Sequence, residues 1–165
     1  MDLVKQVVWK EGSFISPQHF QQQALHFKSY MQNYAGTQGY SGHYGLSDIT
    51  VNTDLLKIGK IAVTFCNGLF PDGHYFLLDE EIIIDVPEDA VKKTVYISIP
   101  LALKGAPAYG ETSTEATRYL CQTITSYNNT SAQSDSVELE VAKDNVCLSI
   151  GKTDMAGYVS FPIAR

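Results

Sequence analysis

Charge is what this sequence of 165 residues lacks most: Asp, Glu, Lys and Arg make up 18% of it, against about 25% in ordinary globular chains. The scarcer sign is positive, with 12 Lys and Arg against 18 Asp and Glu, for a net charge of −6. That argues against a nucleic-acid partner and against a polybasic membrane patch, because both need clustered cations. Cysteine is also rare. Cys66, Cys121 and Cys147 are odd in number, far apart and without a CxxC pair, so neither a disulfide framework nor a structural zinc site is expected. They read as small packing residues in a reducing, cytoplasmic compartment. No apolar run approaches the roughly 18 residues of a membrane span, so no direct membrane insertion is expected. The first residues, Met-Asp-Leu-Val-Lys-Gln, hold no apolar stretch of a secretory signal.

What is present is unevenly spread. Residues 1–45 hold five charges (Asp2, Lys5, Lys10, Glu11 and Lys28) and a net +1, yet eight of the eighteen aromatics. The other 120 residues carry nine basic and sixteen acidic side chains, net −7. The length fits a single domain, 1–165, able to bury about 70% of the surface its unfolded chain exposes. Within it the composition separates an N-terminal segment, 1–45, from an acidic remainder, 46–165.

Ser16 followed by Pro17 is a helix start, a side-chain cap and then a residue whose missing N–H costs nothing in the first turn. From there Phe20, Ala24, Phe27, Met31 and Tyr34 recur at helical spacing, which predicts a helix over about 17–34. Its other positions are mostly Gln, His, Ser and Asn, with Lys28 the one charge, where a solvated face normally carries Glu and Lys. Either this is a Gln-rich exposed face, or the helix is contacted on more than one side. Beyond residue 45 the period changes to that of strands: 48–52, 60–66, 74–78, 81–86 and 94–101. Turns are expected at Asn67-Gly68, at Phe70-Pro71-Asp72-Gly73 and at 86–89, with long loops at 104–115 and 126–136. The alternation in 137–141 and 146–150 about Lys143-Asp144-Asn145 predicts a hairpin, and 158–163 a last strand. One helix followed by roughly nine strands gives a mainly β fold, an antiparallel β-sandwich with one N-terminal α-helix.

Catalytic patterns are missing. Gly151-Lys152-Thr153 lacks the upstream glycine of a phosphate loop, and no GxSxG, HExxH or GxGxxG occurs. His19 and His26 share a helix face at a spacing of seven, with no carboxylate to complete a metal site. Cys66 and His74 flank the double turn, where packing and turn roles outweigh a nucleophile–base pair. The chain is therefore read as no enzyme, with no cofactor and no metal. A carbohydrate- or receptor-binding sandwich using exposed tyrosines such as Tyr40, Tyr44 or Tyr109 is the alternative.

The residues that stand out lead into the helix: Val8-Trp9-Lys10-Glu11-Gly12-Ser13-Phe14-Ile15-Ser16-Pro17-Gln18-His19-Phe20-Gln21-Gln22-Gln23. The pattern Trp-x-Glu-Gly-x-Phe-hydrophobic-x-Pro-Gln-His-Phe-Gln-Gln resembles the N-terminal signature of the TssK (ImpJ/VasE) family of the type VI secretion baseplate. Tyr44-Gly45-Leu46, Asp54-Leu55-Leu56 with Gly59-Lys60-Ile61, Phe70-Pro71-Asp72-Gly73, the stretch from Leu139 to Leu148, and Pro162-Ile163-Ala164-Arg165 match in order. Ser13 stands where the family usually has Met, and Tyr44 where it has Trp. Family members are more than twice as long, so the resemblance implies the N-terminal shoulder alone, without the helical neck and the head that faces the membrane complex. It implies a structural adaptor: a sandwich like the shoulder of siphophage receptor-binding proteins, attaching a homotrimer to the wedge proteins TssF and TssG on the cytoplasmic side of the inner membrane. Interface cores are depleted of charge and rich in aromatics, so Trp9, Phe14, Pro17, Gln18, Phe20, Gln21, Gln22 and Phe27 are the expected contact residues. The rival expectation buries the aromatics inside the chain and leaves only the Gln face free.

Overall fold

The structure, a computed structural model, describes residues 5–8, 10–12, 14–35, 43–127, 136–151 and 156–165. The chain divides into two compact units, Met1–His43 and Tyr44–Arg165.

The first unit is built on α1 (Pro17–Ala35). Its start is held by a variant of the capping box, in which the third helical residue reaches back to the cap. Here that residue is His19: Ser16 N–H donates to His19 Nδ1 at 3.2 Å, and Ser16 Oγ lies 2.8 Å from the same nitrogen. His19 N–H in turn donates to Ser16 O at 3.0 Å. The expected stop at Gly36 lies outside the described residues, as do Trp9 and Tyr40.

The second unit is antiparallel β structure. In chain order it runs β1 (Gly45–Val51), the single helical turn α2 (Thr53–Leu56), β2 (Lys60–Leu69), β3 (Tyr75–Leu78), β4 (Ile82–Asp85), β5 (Val95–Pro100), β6 (Tyr109–Gly110), β7 (Tyr119–Tyr127), β8 (Ser136–Asp144), β9 (Cys147–Ile150) and β10 (Tyr158–Ala164). One sheet has the order β1-β2-β3, with β4 pairing β2 further along; a second has β10-β5-β9; a third has β6-β7-β8. The first two face each other. Val63, Cys66, Phe70, Phe76 and Leu78 of the first sheet and its turn meet Ile97, Ile99, Leu148 and Phe161 of the second in one buried cluster. The rings of Phe70, Phe76 and Phe161 lie 4.6–6.3 Å apart, distances at which offset and edge contacts add to the area buried. The expected mainly β sandwich with an N-terminal helix is what the chain adopts.

Three local expectations are corrected. Asn67-Gly68 is no turn but part of β2, paired with β1 on one side and β3 on the other. Gly68 is there because the strands come too close for a side chain: a Cβ would stand under 3.0 Å from the Gly45 carbonyl oxygen. The real turn is the next one, where Gly73 N–H donates to Phe70 O and Phe70 N–H to His74 O, both at 2.9 Å, with Gly73 at φ 78°. Nor do 137–141 and 146–150 form a hairpin. β8 pairs with β7 and β9 with β5, in different sheets. At the supposed turn Asn145 is buried, its Nδ2 donating to Glu115 O (3.1 Å) and Thr117 O (2.9 Å) and its N–H to Arg118 O (3.0 Å). The chain crosses there from one sheet to the other. Finally, the loop expected at 104–115 contains β6, and most of that expected at 126–136 lies outside the described residues.

Candidate interaction surface

Helix α1 carries its apolar stripe outward. Phe20, Phe27 and Met31 are 62%, 58% and 65% exposed, and Phe14, just before the helix, is 98% exposed. Ala24, in the same stripe, is exposed as well. The half-buried positions are polar or basic: His19, Gln22, Gln23, His26, Lys28, Ser29, Gln32 and Asn33. Among them His19, Gln22, His26, Ser29 and Asn33 form a stripe at spacings of three and four, roughly 150° around the helix from the apolar one. Gln22 Nε2 donates to Lys5 O at 2.7 Å, tying residue 5 to that polar side. Of the expected contact residues, Phe14, Pro17, Gln18, Phe20, Gln21 and Phe27 are exposed and Gln22 is half-buried; Trp9 lies outside the described residues. The expected contact aromatics that are described, Phe14, Phe20 and Phe27, expose most of their surface. An apolar helix stripe open to water is unstable unless something covers it.

The residues with chemical potential are used structurally. Cys66 is fully buried in β2, and that burial pushes its thiol up to about 11. His74 Nε2 lies 2.8 Å from Asp144 Oδ1, and its ring stacks on Phe70 and meets the edge of Tyr119. A thiol held protonated in a core and an imidazole bonded to a carboxylate do not make a nucleophile and its base. At pH 7 only about one Cys66 in ten thousand is a thiolate. Iodoacetamide therefore leaves Cys66 unmodified in the folded chain and labels it in urea, as peptide mass spectrometry will show. The same burial has an alkaline consequence. The group ionises near 9.0 when unfolded and near 11 when folded, so its contribution is complete below pH 9 and lost between pH 9 and 11, about 2–3 kcal/mol. Urea melts at pH 8 and pH 11 should show that loss in the native chain and a smaller one in Cys66→Ala.

Beside this lies an ionic knot whose cation is buried and whose carboxylate is about one-third exposed. Asp72, in the turn after β2, accepts from His74 N–H at Oδ1 (3.1 Å) and from Arg118 Nη2 at Oδ2 (2.6 Å). Arg118 Nη1 also donates to Pro100 O at 3.0 Å. The knot joins the β2–β3 turn, the end of β5 and the approach to β7. Nothing in the sequence's periodicity indicates Arg118; a lone Arg in a polar, turn-rich stretch reads as surface. Tyr44 and Tyr109, named for sugar stacking, are exposed, but Tyr44 meets the edge of Phe161 and Tyr109 leans on Tyr119. Neither lines the clefts of about 330 Å³ and 420 Å³ beside β8.

A sequence profile of the bacterial type VI secretion family described as VC_A0110, EvfL, ImpJ and VasE matches residues 19–165. The chain belongs to this family. It is similar to the type VI secretion system baseplate component TssK1 of Pseudomonas aeruginosa PAO1, 31% identical over 103 residues that cover 60% of this chain and 23% of TssK1. Its fold is that of a TssK crystal structure, with a TM-score of 0.84 at 24% identity over 97% of this chain and 37% of the other. A TssK-TssF-TssG baseplate subcomplex solved by cryo-electron microscopy matches with a TM-score of 0.82 at 19% identity, over 98% of this chain and 55% of the matched one. The chain thus spans about a quarter to a half of the family relatives it matches. Among the described residues no helix is long and apolar enough to cross a membrane.

Proposed function

We propose that this chain is a structural, non-catalytic adaptor of a type VI secretion baseplate, on the cytoplasmic side of the inner membrane. The exposed apolar stripe of α1 and the aromatic residues before it join it to like subunits in a homotrimer and to wedge proteins of the TssF and TssG kind. The carrying observation is the helix: Phe14, Phe20, Phe27 and Met31 exposed on a segment almost without charge. Charge depletion with aromatic anchors is the composition of an interface core, and a few such anchors dominate binding energy. Support also comes from a relative of the same fold solved together with TssF and TssG.

Phe20→Glu with Phe27→Glu places two charges on the stripe at positions already in water, so the fold is expected to keep its circular dichroism and melting temperature. Binding to a TssF–TssG complex is expected to weaken at least about a hundredfold, since each buried anchor is worth about 2 kcal/mol or more. Gln21→Glu alone, at the margin of the stripe, should cost about tenfold or less. Unchanged binding by the double variant would remove the helix from the interface.

A further inference from the structure

We propose that the outer edge of β8 is a docking site for an extended partner segment of alternating basic and apolar residues, added as a further strand. β7 and β8 form a ribbon of nine successive pairs, from Tyr119↔Asp144 to Tyr127↔Ser136, without a bulge. β6 covers β7 only at Tyr119 and Leu120, and β8 is the last strand of its sheet. A two-stranded ribbon is marginal in water, and a long regular edge presents unpaired backbone groups to any strand that fits. Other pairings in the chain interrupt such regularity, with register shifts in β1–β2 and in β10–β5 and Pro162 within β10. Ribbon β7–β8 has neither device.

Its two faces state what fits. Residues directly opposite share a face, so Gln122 with Val141 and Ile124 with Leu139 form one side, where Ile124 and Leu139 are 40% and 43% exposed. Thr123 with Glu140 and Thr125 with Glu138 form the other, exposed at all four positions. Glu111 and Glu115 join Glu140 around Cys121, on that same side; burial first and these three carboxylates next push the Cys121 thiol up. Among the described residues no cation pairs with Glu111, Glu115, Glu138 or Glu140. A second copy of β8 would set Glu138 and Glu140 beside their own kind, which opposes self-pairing. A third strand along β8 alternates its side chains between the two faces. It therefore needs apolar residues beside Leu139 and Val141 and basic ones beside Glu138 and Glu140. The site uses no residue of the first unit and does not depend on the reading of α1.

The test is fluorescence anisotropy of the 165-residue chain with a labelled nine-residue peptide of alternating Lys and Val. Controls are a peptide of the same composition with its lysines in one block, and the alternating peptide N-methylated at every second residue. Expected are binding of the alternating peptide at least about tenfold tighter than either control, and slowed amide exchange along β8 on binding. The exposed double change Glu138→Lys with Glu140→Lys should lower affinity for this peptide at least about tenfold and create affinity for an alternating Glu and Val peptide. Equal binding of the block peptide would reduce the effect to bulk charge attraction. That result, insensitivity to N-methylation, or unchanged binding by the Lys variant would each overturn the proposal.

Discussion

Asp72→Ala is expected to destabilise the second unit by about 3–5 kcal/mol, because it strands a cation in the core. Arg118 is 3% exposed and cannot shed its proton. Its Nε is already buried without a partner, so its charge rests on Asp72 and on the Pro100 carbonyl. The reverse change is milder. Arg118→Met removes the charge itself and leaves an apolar chain of similar length in the slot. Asp72 keeps its bond from His74 N–H and, with its side chain about one-third exposed, can take up water. About 1–3 kcal/mol is expected there, mainly for the orphaned Pro100 carbonyl. The double variant should then be close to Arg118→Met alone, so that the coupling is as large as the Asp72→Ala loss itself, about 3–5 kcal/mol. Urea melts of the four proteins measure this directly. Additive losses would show that the two residues do not act as a pair.

Gly68→Ala is the second large effect. Gly68 lies in the middle of its sheet, where a Cβ would meet the Gly45 carbonyl oxygen at less than 3.0 Å and Gly45 C and Leu46 Cα at 3.1 Å. These are backbone atoms of a paired strand, which no rotamer change can move aside. β1 must shift or detach from the end of β2, at a cost of about 3 kcal/mol, the upper range of overpacking a well-packed site. Amide exchange should speed up in residues 45–51 before anywhere else. Gly105→Ala, with open space around it but at φ 85°, should cost only the roughly 1–2 kcal/mol of a left-handed residue, clearly less. Equal losses in the two would mean that the close approach of β1 and β2 does not control the site.

These two sites also show what the sequence conveys and what it leaves hidden. Local chemistry reads well: Ser16 and Pro17 placed the start of α1 at its observed residue, and the strand-type runs 94–101, 146–150 and 158–163 each hold an observed strand. Pairing reads badly, because alternation reveals that a segment is a strand but not which strand lies beside it. Hence 137–141 and 146–150 were joined across Lys143-Asp144-Asn145, although Asn145 is a buried brace between Glu115, Thr117 and Arg118. Asn67-Gly68 has the composition of a tight turn, yet its glycine answers to Gly45, twenty-three residues away. The stripe Phe20, Ala24, Phe27 and Met31 was legible as one helix face. What it faces was not, because an apolar stripe has the same spacing whether its cover is the same chain or another. Arg118 and Asp72 were invisible as a pair, being 46 residues apart.

The proposed role makes the first unit an adhesive, charge-poor surface covered by other proteins. It is tested most directly by light scattering of the purified chain, alone and mixed with a TssF–TssG complex, beside the Phe20→Glu, Phe27→Glu variant. The native chain is expected to elute with the complex at the summed mass, and the variant, with an unchanged melt, apart from it. A variant that joins the complex as the native chain does, or a native chain that never joins it, would contradict the account.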